Sequence, residues 1–401
     1  MPLIVESGRA QDVLRRVTKK HSAGFLYWNR RYDLAGRTLD QEIKADCLAD
    51  AIEVRSFNGS LLLEPFDILT KQDTPYGVFT PFWKTLQQRQ IASPIAAISG
   101  QPAIAVPSEG FDVSYAAPGW ARPLTERWSV GEAAAHQALH RFLDGEVARY
   151  PEGRDVPALD ATSSLSPHLR FGEISPRQIW HAATMLSSMQ PHLAPAIDKF
   201  LSELAWREFS YNLLFHREDI ASVPMQPRFA ALPWRRDAPA LEAWQRGQTG
   251  IPIVDAGMRQ LWATGWMHNR VRMLTASLLS KNLLIDWRIG ERWFWDTLVD
   301  SDPASNPAGW QWVAGCGADA APYFRIFNPQ TQGERFDPDG AYVRRWVPEL
   351  RRLPDAFIHR PADAPPPILA AADIDLGRTY PYPIVDLKAT RARALAALGD
   401  L

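Results

Sequence analysis

The sequence predicts a mainly α-helical protein in which an α/β segment and a long connector precede a helical region. Three features of the chain support this. Over residues 1–60 apolar positions alternate between strand-like and helical spacing, proline and glycine interrupt residues 61–131, and helical spacing dominates residues 132–401. At 401 residues the chain can also supply two separate cores, because single cores rarely exceed roughly 250–300 residues.

The first segment is predicted to alternate strand and helix. Short apolar or alternating runs predict strands at 2–5, 24–28 and 51–57. Helical spacing predicts the intervening helices at 9–21 and 39–51. This order implies a parallel sheet. No G-x-G-x-x-G follows either early strand, so the usual dinucleotide site is not supported.

The connector, residues 61–131, is predicted to be irregular because proline and glycine recur throughout it. Its phenylalanine, tryptophan and tyrosine content is too high for a disordered linker. We therefore expect an ordered chain wrapped over the surface of the protein.

Beyond the connector the segments with helical spacing are 131–150, 173–186, 198–216, 254–262, 267–284 and 290–299. Ser175 is predicted to cap one helix, with Pro176 at its first position. In contrast, the proline, asparagine, serine and glycine of residues 302–309 are predicted to prevent regular structure, which would place Trp310 and Trp312 at the mouth of a loop.

The composition narrows the class of protein. Hydrophobic residues at 46% and charged residues at 22% are ordinary for a globular protein, and no apolar run approaches the ~18 residues of a membrane span. The start of the chain lacks the regions of a secretion signal, so we expect a cytoplasmic location. Two distant cysteines, Cys47 and Cys316, predict neither a disulfide framework nor a metal site. A net charge of -1 leaves DNA binding open, and sixteen tryptophans suggest aromatic surfaces for a flat ligand.

The segment SELAWREF places Glu203, Trp206 and Arg207 at i, i+3 and i+4, on one helical face. On spacing alone, a surface Glu203–Arg207 pair beside a packing indole is the better interpretation. The alternative is a pocket wall on which a carboxyl group hydrogen-bonds a flat ligand that the indole contacts.

Two further motifs leave their alternatives evenly balanced. In HNRVRM, Asn269 and Met273 lie one helical turn apart. An asparagine inside a helix has two interpretations: its amide binds the edge of a nucleobase or flavin, or it is an exposed residue of a basic helix. In TSSLSPHLRFGEISP, hydroxyl groups precede a predicted helical turn, which indicates either an anion site or a simple capping loop.

Together the motifs YWNRRYD, TSSLSPHLRFGEISP, SELAWREF, GQTGIPIVDAGMRQLWATGWMHNRVRM, SKNLLIDWRIGERWFWDTLVDSDPASNPAGWQW and GADAAPYFRIFNPQTQGERFDPDGAYVRRWVPEL resemble the photolyase/cryptochrome family. The resemblance covers nearly the whole chain and is strongest to class I, microbial-type DNA photolyases specific for cyclobutane pyrimidine dimers. It implies an all-helical FAD-binding domain preceded by an incomplete Rossmann-like α/β domain.

The resemblance implies a set of cofactor contacts. Residues expected to hold FAD are Tyr150, Thr162, Ser163, Ser164, Leu165, Ser166, Arg207, Asn269, Arg272, Asp300, Asp302 and Asn306. Arg272 and Asp300 would form an ion pair beside the flavin ring. Asn306 would face flavin N5, where an amide, unlike a buried aspartic acid, cannot readily give up a proton.

The resemblance also implies a lesion pocket and an electron relay. Glu203, Trp206, Asn269, Met273 and Trp312 would line a pocket for a pyrimidine dimer that is extruded from the duplex. Trp310, Trp287 and Trp234 would form a relay of indoles from the flavin to the surface. Excited FADH⁻ would pass an electron to the dimer and recover it after ring opening, with no net redox change.

Damaged DNA is therefore the expected partner of what we expect to be a monomer. Phosphate contacts are expected from Arg154, Arg270 and Arg325, although arginine runs are often only solvated faces. The family's WFRRDLR-like signature and several dozen following residues are absent before YWNRRYD, so the sheet should expose unpaired edges. Ala35 and Gly36 replace the Asn-Glu pair of folate-binding members, so a second, light-harvesting chromophore would be of another, unassigned type.

Three rival functions follow from the same resemblance. A signalling cryptochrome is disfavoured by Asn306 and by the retained pocket residues. A (6-4) photolyase is disfavoured because Asn269 and Met273 stand where histidine is expected. A damaged remnant that binds FAD without folding well is the third.

Overall fold

The computed structural model describes residues 6–96, 118–320 and 324–401. The strand predicted at 2–5 and residues 97–117 of the connector lie outside the described residues. The described part is mainly helical with a small parallel sheet, which confirms the predicted fold class.

The N-terminal segment has the predicted order of elements. It consists of α1 (Ala10–Lys20), β1 (Phe25–Asn29), α2 (Leu34–Ala49) and β2 (Glu53–Phe57). β1 and β2 pair in parallel, with Phe25 opposite Glu53, and α2 makes the crossover between them. α2 begins five residues before its predicted start because the Asp33 carboxylate accepts a hydrogen bond from the Gly36 N–H at 2.8 Å and caps the helix.

The two faces of this sheet differ in exposure. Lys44 of α2 donates to the Ser56 hydroxyl at 2.9 Å and lies over the Trp28 ring, so the half-buried face packs against α2. On the other face the rings of Phe25, Tyr27 and Phe57 contact one another and are at least half exposed. The described sheet therefore carries an uncovered aromatic face.

The connector is less irregular than predicted. It contains α3 (Phe79–Gln87) and α4 (Arg122–Arg127). α3 buries Phe79, Phe82 and Leu86, an i, i+3, i+7 pattern, and packs against the long helix α9 (Ala194–His216). Pro81 stands in the first turn of α3, where its missing N–H costs no intrahelical bond, so it does not prevent this helix from forming.

The remaining helices follow in order: α5 (Glu132–Arg141), α6 (Tyr150–Gly153), α7 (Ser166–Phe171), α8 (Pro176–Met189), α9 (Ala194–His216), α10 (Ala238–Gln245), α11 (Pro252–Thr264), α12 (Asn269–Ser277), α13 (Trp287–Thr297), α14 (Ser305–Ala314), α15 (Pro329–Phe336), α16 (Ala341–Trp346), α17 (Pro366–Ala371) and α18 (Leu387–Gly399). Ser175 caps α8 in a reciprocal capping box with Gln178, with Pro176 at the first helical position, as predicted. Single π-helical turns extend α5 and α12.

Two groups of buried side chains fill the helical region. One surrounds α11, α12, α13 and α14, and the other joins α3, α8 and α9. α9 is buried along most of its 23 residues because it lies at the centre of the second group. α9, α12 and α14 carry most of the residues singled out by the sequence.

The prediction that residues 302–309 cannot form a helix is wrong, because α14 begins at Ser305. The Asp302 carboxylate accepts hydrogen bonds from the backbone N–H groups of Ala304 at 2.9 Å and Ser305 at 2.7 Å. Pro307 lies in the first turn, where its lack of an N–H leaves no helical hydrogen bond unmade. A carboxylate that holds the turn before the helix and an early proline therefore turn a loop-like composition into a helix start.

Candidate functional site

Arg272 and Asp300 form the expected ion pair. A terminal guanidinium nitrogen of Arg272 lies 2.8 Å from Asp300 Oδ2, and the Ser166 hydroxyl donates to the same oxygen at 2.7 Å. Arg272 Nε donates to the Met267 carbonyl at 2.7 Å, which fixes the guanidinium plane. Asp300 Oδ1 is buried and has no hydrogen-bond partner in the described part of the chain. The pair thus keeps one buried acceptor free.

The loop before α7 has free hydroxyl groups. Thr162, Ser163 and Ser164 are half-buried, and within the described residues no hydrogen bond involves their side chains. Ser164 has a φ of 53°, a left-handed conformation that is uncommon outside glycine. Leu165, buried at 2% exposure, anchors the loop in the core. The loop therefore presents hydroxyls that are not consumed by capping.

Tyr150 is buried at the start of α6. Its ring meets Phe142 and Phe200 edge to face, at centroid distances of 5.4 and 5.7 Å. The guanidinium of Arg154, one turn later, lies 5.5 Å from the same ring. Tyr150 thus orients the segment that carries Arg154.

Glu203 pairs with Arg154 and not with Arg207, so the helical pair favoured by spacing alone is absent. Glu203 Oε1 accepts hydrogen bonds from Arg154 and, at 3.0 Å, from Lys199. Arg207 instead donates to the Ser60 carbonyl at 2.6 Å and lies over the Tyr211 ring. The i, i+4 spacing gave the wrong partner because the connector and the 150–155 segment both pack against α9.

Arg270 is held by two groups that the sequence did not single out. Its guanidinium lies 2.6 Å from the Asp155 carboxylate and 4.4 Å from the centre of the Phe336 ring. Because Asp155 follows Arg154 directly, a chain of charges runs from Glu203 on α9 to Arg270 at the start of α12. Arg325 is exposed and lies over the Phe327 ring. Among the described residues it makes no contact with Glu203, Arg154, Asp155 or Arg270.

Asn269 is the first residue of α12 and not an interior helical residue. His268 precedes it as the cap, and its Nδ1 accepts from the Arg270 N–H at 3.2 Å. Burial lowers the pKa of His268 to about 4, so the imidazole is neutral at pH 7. Asn269 is exposed, and no described residue hydrogen-bonds its amide, whereas Met273 is half-buried against the core. The Asn269 amide is therefore available for a ligand.

Trp206 and Trp312 have different surroundings. Trp206 stacks on Phe79 of α3, with ring centroids 3.8 Å apart and an interplanar angle of 7°. Trp312 is half-buried on α14, while Trp310 is 3% exposed and meets Phe294 at 5.0 Å. Residues two apart on a helix point in nearly opposite directions. The helix itself, and not a bent loop, therefore sends Trp310 and Trp312 to different sides.

The three tryptophans proposed as a relay differ in depth. Trp287 and Trp310 are buried at 1% and 3% exposure, and Trp234 is half-buried beside Leu232 and Leu284. A further indole, Trp244, lies 6.2 Å from Trp310 and is fully buried, with its N–H donated to the Thr275 carbonyl.

Asn306 donates from its amide nitrogen to the backbone carbonyl of Glu291 at 3.0 Å and to Glu291 Oε1 at 2.8 Å. Burial raises the pKa of Glu291. These two bonds fix the amide so that its carbonyl oxygen is the end left without a described partner. Asp302 differs, since Tyr211 and two backbone N–H groups occupy its carboxylate. Its contribution to a cofactor site would be indirect.

Sequence reasoning missed the residues that orient the predicted ones. Asp155, Glu291 and Phe79 contact Arg270, Asn306 and Trp206 respectively. Asp155 could have been noticed as the acidic neighbour of Arg154. The other two contacts join positions 15 and 127 residues apart, and no local spacing rule reports them.

In the described ranges no group of histidine, cysteine and carboxylate side chains is arranged to hold a metal ion. No helix within the same ranges is both long and apolar enough to cross a membrane.

Two family models match the chain. Residues 1–102 match the DNA photolyase model, and residues 200–400 match the model for the FAD binding domain of DNA photolyase. The deoxyribodipyrimidine photo-lyase of Agrobacterium fabrum is 50% identical over 403 residues, covering 98% of this chain and 83% of its own length. Cryptochrome-1 of Arabidopsis thaliana is 36% identical over 396 residues, covering 96% of this chain and 58% of its own length.

The fold is also similar to a solved structure. A bacterial class III photolyase from Agrobacterium tumefaciens superposes with a TM-score of 0.94 and 49% identity, over 99% of this chain and 83% of that one. Identity at this level over nearly the whole chain, together with the two matching models, shows that the chain belongs to the photolyase/cryptochrome family.

Proposed function

We propose that this chain is a DNA photolyase, a lyase that uses light to split cyclobutane pyrimidine dimers in DNA. The observation that carries the proposal is the 50% identity to a deoxyribodipyrimidine photo-lyase across 98% of the chain. The division into an incomplete α/β domain at 1–60, a connector at 61–131 and a catalytic domain at 132–401 belongs to the same proposal.

The residues present suit FAD. Asp300 Oδ1 is a buried acceptor without a partner, and the Asn269 amide is free to bond an adenine or flavin edge. The unbonded hydroxyls of Thr162, Ser163 and Ser164 can donate to a pyrophosphate. Of these groups, Asp300 Oδ1 is buried and would stay unsatisfied without a ligand. They support the assignment of the cofactor to the faces of α7, α12 and α14.

The chain's own residues set the charge and the proton position around the isoalloxazine ring. Reduced FAD supplies the excited electron that opens the cyclobutane ring. Arg272 supplies positive charge, held in place by Asp300 and Met267. Asn306 presents its carbonyl oxygen because Glu291 occupies its amide N–H groups. The Asn306 oxygen would accept a hydrogen bond from a protonated ring nitrogen and has no proton to give, while the positive charge of Arg272 would favour the reduced anion.

On the substrate side, Glu203 would hydrogen-bond the extruded dimer while Trp206 and Trp312 contact its flat faces. Stacking on an aromatic ring contributes on the order of 1–3 kcal/mol per base. Arg154 and Lys199 both bind Glu203 Oε1, so Oε2 has no partner among the described residues and is available to the dimer. Arg154, Arg270 and Arg325 would contact DNA phosphates.

The class of photolyase is a finer part of the proposal. The class I assignment suggested by the motifs is not confirmed, and the similarity to a solved class III photolyase favours class III. Ala35 and Gly36 at the family's folate position leave any second chromophore of unassigned type.

A cryptochrome-like blue-light sensor is the second candidate, since Arabidopsis thaliana cryptochrome-1 is 36% identical over 96% of the chain. The two candidates differ in one activity. Purified protein, reduced and loaded with FAD, is illuminated with blue light in the presence of an oligonucleotide containing a thymine dimer, and recovery of thymine absorbance is followed. Recovery supports the photolyase, whereas none from a folded, flavin-loaded sample favours the sensor.

A further inference from the structure

Trp206 contacts two aromatic rings in the described part of the chain: it stacks on Phe79 and meets Phe209 edge to face at 5.8 Å. Phe79, the first residue of α3, lies parallel to the indole at 3.8 Å and is itself 7% exposed. The stacked Phe79 ring covers part of one face of the indole. Trp206 is only half-buried, so part of the indole stays accessible to a ligand.

The position of Phe79 is fixed by a residue that follows α14. α3 has no side-chain cap of its own, because Val78 occupies the capping position. Asp319 lies beside the start of α3: it lines one surface cavity together with Gly77 and Val78, and its carboxyl group interacts with the backbone N–H of Phe79. Asp319 lies in the segment that leaves α14, the helix that carries Trp312. A single contact thus links the support of Trp206 to the helix of Trp312.

We propose that Phe79 is a positioning residue for dimer recognition: its ring sets the plane of Trp206, and Asp319 sets that plane relative to Trp312. This inference rests on the proposed function. Two flat walls discriminate a dimer from ordinary bases only when their separation is fixed, because a mobile indole must lose rotamer freedom on binding. Stacking on Phe79 restricts the rotamers of Trp206 before DNA binds.

The test measures discrimination, defined as the Kd for an undamaged duplex divided by the Kd for the same duplex with one thymine dimer. Phe79→Leu keeps apolar volume but removes the flat face, and we expect discrimination to fall roughly fivefold with FAD still bound. Phe82→Leu is the matched control. Phe82 lies on the same helix and is also buried, at 1% exposure, and its ring contacts in the described residues are with Phe209 and Tyr76.

A double-mutant cycle with Trp206→Ala separates positioning from general packing. In the Trp206→Ala background, Phe79→Leu should cause no further loss of discrimination. The inference is overturned if Phe79→Leu behaves as wild type, if Phe82→Leu loses as much, or if the two losses are additive. If Phe79→Leu fails to load FAD, discrimination is measured for Asp319→Ala instead. Discrimination equal to that of the wild type in Asp319→Ala would also overturn the inference. Absence of discrimination in the wild type would contradict the proposed function itself.

Discussion

At the scale of single residues, Glu203 has two partners that differ in exposure. Arg154 is 14% exposed and Lys199 is 45% exposed, and both contact the same carboxylate oxygen. The more buried partner, Arg154, is followed directly by Asp155, which pairs with Arg270. Glu203 Oε2, which has no partner among the described residues, is therefore the oxygen expected to accept a hydrogen bond from the dimer.

Glu203→Ala should lower the repair yield by roughly tenfold while FAD stays bound, because a hydrogen bond from a charged group to the dimer is lost. Lys199→Ala, which removes only the solvent-side partner, should leave the yield close to wild type. Both are measured as dimers repaired per photon absorbed, with flavin absorbance as the check on loading. Loss of flavin from Glu203→Ala would contradict the role given to this residue.

Asp300→Ala should greatly weaken FAD retention. The carboxylate is 3% exposed and partners both Arg272 and Ser166, so its removal leaves a cation without its counter-charge. Breaking a buried pair in this way costs about 3–5 kcal/mol. Flavin content after gel filtration and the thermal midpoint are the measurements. Glu242→Ala, which breaks an exposed pair with Arg246, should change neither.

At the scale of elements, helix α9 is tied to the connector by a buried carboxylate. Glu208 Oε2 accepts from the backbone N–H of Leu62 at 2.9 Å, with a longer contact to Leu63 at 3.5 Å. Burial raises the pKa of Glu208 from 4.5 to about 7, despite the nearby Arg207. A raised folded-state pKa gives stability that is present below pH 4.5 and is lost as pH rises through about 7.

Glu208→Gln removes this titration while keeping an acceptor for the connector. Between about pH 5 and about pH 8, the variant should gain on the order of 2 kcal/mol in unfolding free energy relative to wild type. Denaturant unfolding at several pH values measures the difference. Glu218→Gln, which replaces the exposed partner of Arg37, is the control and should give a flat difference. A flat difference for Glu208→Gln would mean that the connector is not held by a neutral carboxyl group.

The sequence predicted the type of most elements, because periodicity and caps such as Ser175 act over a few residues. It failed at α14, where Asp302 turns a proline and glycine tract into a helix start. It also predicted the ion pair of Arg272 and Asp300, but through family resemblance and not through spacing. The partners of Glu203 and Trp206 lie 49 and 127 residues away, and only the packing of α6 and α3 against α9 brings them together.

At the scale of the whole molecule, the indoles form a gradient from core to surface. Trp310 and Trp287 lie in the core around α13 and α14, and Trp234 is half-buried at its edge. A relay needs such a gradient, because the last oxidised indole must be able to lose its proton to water. Trp244 touches Trp310 but is fully buried, and its N–H is bonded to a backbone carbonyl that cannot accept the proton.

Trp287→Phe should therefore abolish light-driven reduction of the oxidised flavin, followed as bleaching of its blue absorbance with an external reductant present. Repair by chemically reduced protein should be unaffected, because the indole serves only to refill the cofactor. Trp244→Phe removes an indole that lies 6.2 Å from Trp310 and should leave both activities intact. If Trp244→Phe blocks photoreduction and Trp287→Phe does not, the electron reaches the flavin through Trp244. Trp234 is then not the surface end of the relay.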